Sequence, residues 1–305
     1  MDAIIAKNLS KSFGPVSAVD NISITIPVGT IYGFLGPNGA GKTTTIRMIT
    51  GVLIPDAGTV HILGFDVHAN PFQAKMNIGV IPENGTVYAD LTAEQNILLT
   101  AKFYKMDREN STCRAEEIIK QLGLTERKKD TVRTFSKGMR QRVSIACAII
   151  HSPPVLILDE PTTGLDVYSR RLVIETVRQM NRNGSTILIT THNIEEANEL
   201  CSIISVIKKG KIIATGSPEK LKKTFDTSHY VEISFDQPVQ PDFFSVPWIT
   251  NAESRGDKWR VHTADTDRTV KYLSSMADLR DLTIISIATS SPTLEEAFVT
   301  LTSEA

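Results

Sequence analysis

The chain has 305 residues, 41% hydrophobic and 22% charged, and its 33 Lys and Arg against 34 Asp and Glu leave a formal net charge of −1. That length buries a substantial core in one large or two modest domains, while the even charge balance leaves no basic footprint, so no nucleic acid is expected as a partner. No apolar run approaches the roughly 20 residues that span a bilayer, no secretory leader follows Met1, and Cys113, Cys147 and Cys201 lack metal or redox spacing, so the expectation is a cytoplasmic chain whose cysteines pack rather than pair.

Taken in chain order, the first regular element is a strand: Ile22, Ile24 and Ile26 alternate with Ser23 and Thr25, which predicts a small antiparallel layer. It leads into the apolar stretch Ile31 to Leu35 and then into Gly36-Pro37-Asn38-Gly39-Ala40-Gly41-Lys42-Thr43-Thr44. That run is a phosphate-binding loop. Its glycines let consecutive backbone N–H groups curl round a polyphosphate, Lys42 reaches the β- and γ-phosphates, and Thr43 offers a hydroxyl to Mg²⁺. A helix from Lys42 to about Thr50 turns its N-terminal N–H groups towards the same anion.

A helical stretch follows. Thr92 and Gln95 make a capping box ahead of Ile97, Ala101 and Tyr104, which share one face. A second helix is predicted from about Ser111 to Leu122, and a third from Ser136 to about Ile150, where Pro153-Pro154 stops it. The short β-branched runs Val155 to Leu158 and Thr186 to Ile189 suit central strands of a covered parallel sheet. The first of them ends in Asp159-Glu160, two carboxylates placed to hold Mg²⁺ beside a phosphate loop and to activate a water, with Asp159 on the metal and Glu160 as general base. After Gly216 the texture changes. Ser217-Pro218 opens a short helix whose Lys220, Lys222 and Lys223 read as a solvated face. Strands follow at Tyr230 to Phe235, Trp259 to Thr263 and Thr283 to Ile287, with a helix near Thr266 to Ala277 between the last two. A closing helix opens at Ser291-Pro292, with Leu294, Ala297, Phe298 and Leu301 on one stripe.

Several further motifs carry a family resemblance. Phe135-Ser136-Lys137-Gly138-Met139-Arg140-Gln141-Arg142 resembles the signature motif of ATP-binding-cassette (ABC) ATPases, and Glu160-Pro161-Thr162-Thr163-Gly164-Leu165-Asp166 is similar to the stretch that joins their catalytic glutamate to the D-loop. Thr190-Thr191-His192 resembles the switch histidine, Ile78 to Glu83 the approach to the Q-loop, and Phe13 the aromatic that stacks on adenine. The resemblance spans residues 2–225 with every motif in order. It implies an α/β P-loop NTPase core with an antiparallel β layer and an inserted helical subdomain at about 88–152, followed by a small α+β domain at 226–305.

The resemblance also implies ATP and Mg²⁺ as cofactors, a transmembrane permease subunit as partner, and a place on the cytoplasmic side of the membrane through that partner. It implies a head-to-tail dimer, either of two copies or with a second ATPase subunit, in which Ser136, Lys137 and Gly138 of one cassette meet the ATP held by the other and Asp166 lies nearby. Physically, a hydroxyl and N–H groups at the helix start around Ser136 form an anion site remote in sequence from the Lys42 loop. His192 can donate to the γ-phosphate. Two departures from the pattern stand out: Lys137 and Met139 replace the usual Gly and Gln, and Glu83 replaces the Q-loop Gln, where it would join Thr43 and Asp159 near the metal. Both variants resemble ABC-2-type drug and antibiotic exporter ATPases, as do Ser291 to Phe298. An importer ATPase is the nearer alternative and a soluble cassette acting on ribosomes or DNA the more distant one.

Overall fold

The computed structural model describes residues 1–83, 85, 87–224, 229–290 and 298. They fall into two units, Met1–Pro218 and Glu219–Ala305.

In the first unit β1 (Asp2–Phe13) and β2 (Val16–Pro27) pair antiparallel, and Ile22, Ile24 and Ile26 are buried in the alternation their spacing predicts. β3 (Ile31–Leu35) is buried along its whole length, and α1 (Lys42–Ile49) starts directly after the phosphate loop. β4 (Ala57–Ile62) and β5 (Phe65–Asp66) complete a four-stranded sheet of order β2-β1-β4-β5. After α2 (Pro71–Met76) and β6 (Ile78–Ile81) come three helices. α3 (Ala93–Phe103) carries the capping box in full: Gln95 N donates to Thr92 Oγ1 at 3.1 Å and Thr92 N to Gln95 Oε1 at 2.9 Å. α4 (Arg108–Gln121) begins three residues before the expected Ser111, because the Asp107 carboxylate accepts from Asn110 N at 2.9 Å and serves as the cap. α5 (Lys137–Ile149) is capped by Ser136.

The chain then returns to the core through β7 (Val155–Asp159), α6 (Val167–Arg182), β8 (Thr186–Thr191), α7 (Ile194–Leu200), β9 (Ile203–Lys208) and β10 (Lys211–Gly216). The resulting sheet has the order β10-β9-β3-β8-β7-β6, all parallel except the edge strand β10. Its carboxyl ends carry the phosphate loop after β3, Glu83 after β6, Glu160 after β7 and His192 after β8, the edge where open parallel sheets bind ligands. The cysteines divide: Cys201 is buried and its thiol is pushed up to about 12 by burial, Cys147 is half-buried, and Cys113 is exposed on α4, so a packing role does not hold for that residue.

α8 (Pro218–Thr224) opens at the junction, and the second unit continues with β11 (His229–Phe235), β12 (Ile249–Arg255), β13 (Lys258–Thr263), α9 (Thr266–Leu279) and β14 (Ile284–Ser290). Its antiparallel sheet has the order β12-β13-β11-β14. Leu273 and Ala277 of α9 pack on Val231, Ile233 and Phe235 of β11 and on Phe243 and Phe244, a core separate from that of the first unit. The closing helix expected from Ser291, with Leu294, Ala297 and Leu301, lies outside the described residues except for Phe298, which is helical.

Candidate functional site

The phosphate loop is shaped by contacts only glycine allows. A Cβ on Gly36 would lie 2.5 Å from the Ile207 carbonyl oxygen, and Gly41, at φ 107°, would bring one 2.5 Å from the Ala18 carbonyl oxygen. Gly41 caps α1 without a side-chain hydrogen bond, and no acid sits in the helix's first turn, so its N-terminal N–H groups remain for an anion. Lys42 is 5% exposed. Its Nζ donates to the carbonyl oxygens of Gly36 at 2.8 Å and Pro37 at 3.1 Å and forms an ion pair with Glu160 Oε1 at 3.1 Å.

Glu160 follows the buried strand β7 with φ 48°, a left-handed conformation uncommon for a residue with a side chain. Two bonds from its amide fix that turn, to Thr190 O at 3.2 Å and Thr190 Oγ1 at 3.0 Å. Its Oε2 accepts from Thr163 Oγ1 at 3.0 Å and lies 2.9 Å from His192 Nδ1. Burial alone would push the Glu160 carboxyl up, but the Lys42 ammonium, the Thr163 hydroxyl and His192 together hold it below the usual carboxylate range. Asp159, 2% exposed, accepts from Thr190 Oγ1 at 2.6 Å.

Asn38, Gly39, Lys42, Thr43, Thr44, Glu83 and Glu160 share the lining of a cavity of about 310 Å³. Thr43, Glu83 and Asp159 meet again around a neighbouring cavity of about 410 Å³. The hydroxyl and the two carboxylates that line this cavity, beside an uncapped helix start, are oxygen donors of the kind a hard divalent cation takes. The residues therefore fit both groups that the sequence implies.

Of the other expected site residues, Lys137 lines a further cavity together with Glu83 and Thr163. Phe13 is 52% exposed at the end of β1. Ser136 is exposed, and its Oγ accepts from Met139 N at 3.2 Å as the cap of α5. Gly138 is buried against the start of α6, where a Cβ would meet Ser169 Oγ at 2.4 Å and Asp166 Oδ2 at 3.0 Å. Asp166 is itself a cap, accepting from Ser169 N and Ser169 Oγ, both at 2.8 Å, and these bonds hold its carboxyl below the ordinary range. Lys137 reaches across to Gly164, whose added Cβ would come 2.6 Å from its Nζ. Sequence reasoning missed Thr163 and Thr190, which orient Glu160 and Asp159. Threonines near strand ends carry no signal that separates them from ordinary strand formers.

Comparison with known proteins agrees with this geometry. Residues 19–163 match the family described as ABC transporter. The linearmycin resistance ATP-binding protein LnrL of Bacillus subtilis (strain 168) is 33% identical over 302 residues, 97% of either chain. The chain belongs to the ABC transporter family. This ABC ATPase is also 35% identical over 304 residues to the Nod factor export ATP-binding protein I of Rhizobium sp. (strain N33), covering 98% of this chain and 97% of that one. The daunorubicin resistance ATP-binding protein DrrA3 of Streptomyces coeruleorubidus is 32% identical, with coverage of 99% and 96%. Among solved structures, an ATP-binding subunit of an ABC transporter superposes with TM-score 0.69 at 29% identity, over 73% of this chain and 93% of that one. A dimeric cassette in a post-hydrolysis state with ADP and Pi gives TM-score 0.65 at 26% identity, over 70% and 98%. The chain is thus an ATP-binding, ATP-hydrolysing cassette of a family whose members dimerise and act with transmembrane subunits. Among the described residues no helix of the ABC ATPase is long and apolar enough to cross a membrane.

Proposed function

We propose that this ATPase is the energising subunit of an ABC-2-type exporter and drives a separate transmembrane permease from the cytoplasmic face of the membrane. The observation that carries the hydrolytic part is the chain of contacts Lys42–Glu160–His192, at 3.1 and 2.9 Å, on the carboxyl edge of the sheet beside the phosphate loop. Similarity over nearly the whole chain to ATP-binding proteins of antibiotic resistance and of Nod factor export supports export as the direction.

In this reading Met1–Pro218 is the nucleotide-binding part. Mg²⁺, when bound, would supply neutralisation of phosphate charge. Thr43 and Asp159 hold it, with Glu83 as a further acceptor, while the loop from Gly36 to Thr44 and Lys42 hold the phosphates and Phe13 stacks on adenine. Glu160 takes the proton of the attacking water. His192 donates its Nδ1–H to Glu160 Oε2, which orients the imidazole beside the base. Ser136, Lys137 and Gly138 serve the nucleotide of a second cassette, and Asp166 stands at the same junction. The exposure of Ser136 at the start of α5 supports that arrangement.

The test is Glu160→Gln. ATP binding stays, turnover falls by roughly 10²–10⁴-fold, and gel filtration with MgATP shows a dimer that wild type does not accumulate. A monomer with wild-type turnover refutes the reading.

A further inference from the structure

We infer that Glu196 is the positioning residue that holds the Glu160 loop and the His192 loop in mutual register, an inference that rests on the hydrolytic reading above. Glu196 lies in the first turn of α7 and is 0% exposed. An acid in that place ordinarily faces the helix N-terminus and solvent. Here that task is already done by Asn193, whose Oδ1 accepts from Glu196 N at 2.9 Å. The Glu196 carboxylate is turned the other way, and its two oxygens serve two different loops. Oε1 accepts from Thr162 Oγ1 at 2.8 Å, two residues after Glu160, and Oε2 accepts from Thr191 Oγ1 at 2.8 Å, next to His192. Thr191 Oγ1 also accepts from Asn193 N at 2.9 Å, which fixes the hydroxyl's direction.

A fully buried carboxylate satisfied by hydroxyls rather than by a cation is retained at a desolvation cost, so its bonds have consequences. Between the two threonines lie the residues whose contact matters, Glu160 Oε2 and His192 Nδ1. The ladder of β7 and β8 ends at Asp159 with Thr190, and the Glu160 amide still donates to Thr190, but no ladder bond reaches the Glu160 side chain or His192. Past that point the Glu196 carboxylate bonds to both loops at once, one oxygen to each. A displacement of about 1 Å between such groups costs on the order of 100-fold in rate.

The experiment uses the full chain with Glu196→Ala and Glu196→Gln, and has two readouts. The first is steady-state ATPase. Glu196→Ala is expected to lower kcat by about 10–100-fold while KM for ATP moves less than about threefold, because the phosphate loop is untouched. Glu196→Gln recovers most of the rate, since its amide oxygen and NH₂ can each engage one threonine. The second is the ¹⁵N-histidine spectrum at pH 8 without nucleotide, which reports the His192 tautomer: Nδ1–H in wild type and in Glu196→Gln, a mixture in Glu196→Ala. Unchanged kcat and tautomer in Glu196→Ala overturn the assignment. So does an equal loss of binding and turnover with no recovery in Glu196→Gln, which marks a residue that supports the fold alone. The spectrum needs no turnover, so it stays informative if Glu160→Gln proves fully active and the hydrolytic reading itself falls.

Discussion

Lys42 sits among three oxygens, the carbonyls of Gly36 and Pro37 and the Glu160 carboxylate, and each of its neighbours depends on its charge. Removing the ammonium while keeping the stem, Lys42→Met, leaves Glu160 buried without a counter-charge, a change worth about 3 kcal/mol when one partner of a buried pair is lost. The pH dependence follows from the direction of the Glu160 shift. Its native pKa lies below the ordinary value near 4.3, so the stabilisation is complete above that value and is lost as pH falls through the lower native one. In Lys42→Met the uncompensated burial acts in the opposite sense and penalises the ionised form most at neutral pH. Thermal unfolding without nucleotide should therefore show the widest gap between wild type and variant at pH 7 and a narrower one at pH 4. A gap of constant width would show that Lys42 supports the loop through Gly36 and Pro37 rather than through the acid. At this scale the loop glycines, Lys42, Asp159 and Glu160 could be picked out because residue type and spacing express their chemistry, whereas His192 was picked out through the family resemblance alone. Thr163, Thr190 and Glu196 were not, because a hydroxyl or an acid at an element end has many commoner uses.

Between α5 and α6 the packing is close enough that one side chain decides it. Gly138→Ala would place a methyl 2.4 Å from Ser169 Oγ and 2.9 Å from Ser169 Cβ, so the two helix starts must part. Overpacking of this kind costs about 1–3 kcal/mol, and the expected result is a lower Tm together with reduced ATPase. Ser169→Gly removes the obstructing atoms but also a hydrogen bond to Asp166, and is mildly destabilising by itself. Combined with Gly138→Ala it should restore part of the lost stability, a coupling readable in a double-mutant cycle of thermal unfolding. Additive losses would mean that the contact is slack. The sequence read Gly138 as a place for close approach to an anion, and the structure shows a neighbouring helix cap already there. Helix boundaries were legible where a side chain announces them, as Thr92 with Gln95 does for α3. They were obscured at α6, whose first residues Val167 and Tyr168 are apolar yet 86% and 60% exposed and break the periodicity.

For the whole molecule, two separate cores make truncation informative. A chain ending at Thr224 retains every nucleotide motif, so ATP affinity should stay within about threefold of full length, measured by fluorescence titration alongside circular dichroism; loss of binding by a folded product would show that the nucleotide site depends on the second unit. The class of each unit could be read from periodicity, but the strand order β10-β9-β3-β8-β7-β6 could not, because parallel strands find their neighbours through long crossovers that leave no local mark. That order has its own consequence. β3, β8 and β7 are immediate neighbours, so the roots of the loops bearing Lys42, His192 and Glu160 stand on a lattice whose pitch, about 4.8 Å, is dictated by backbone geometry and by no particular side chain. Sequences can drift beneath such a lattice without rescaling it. Relatives that share only about a third of their residues with this chain can thus inherit the same dimensions, and selection need guard only the few groups that hang from its edge.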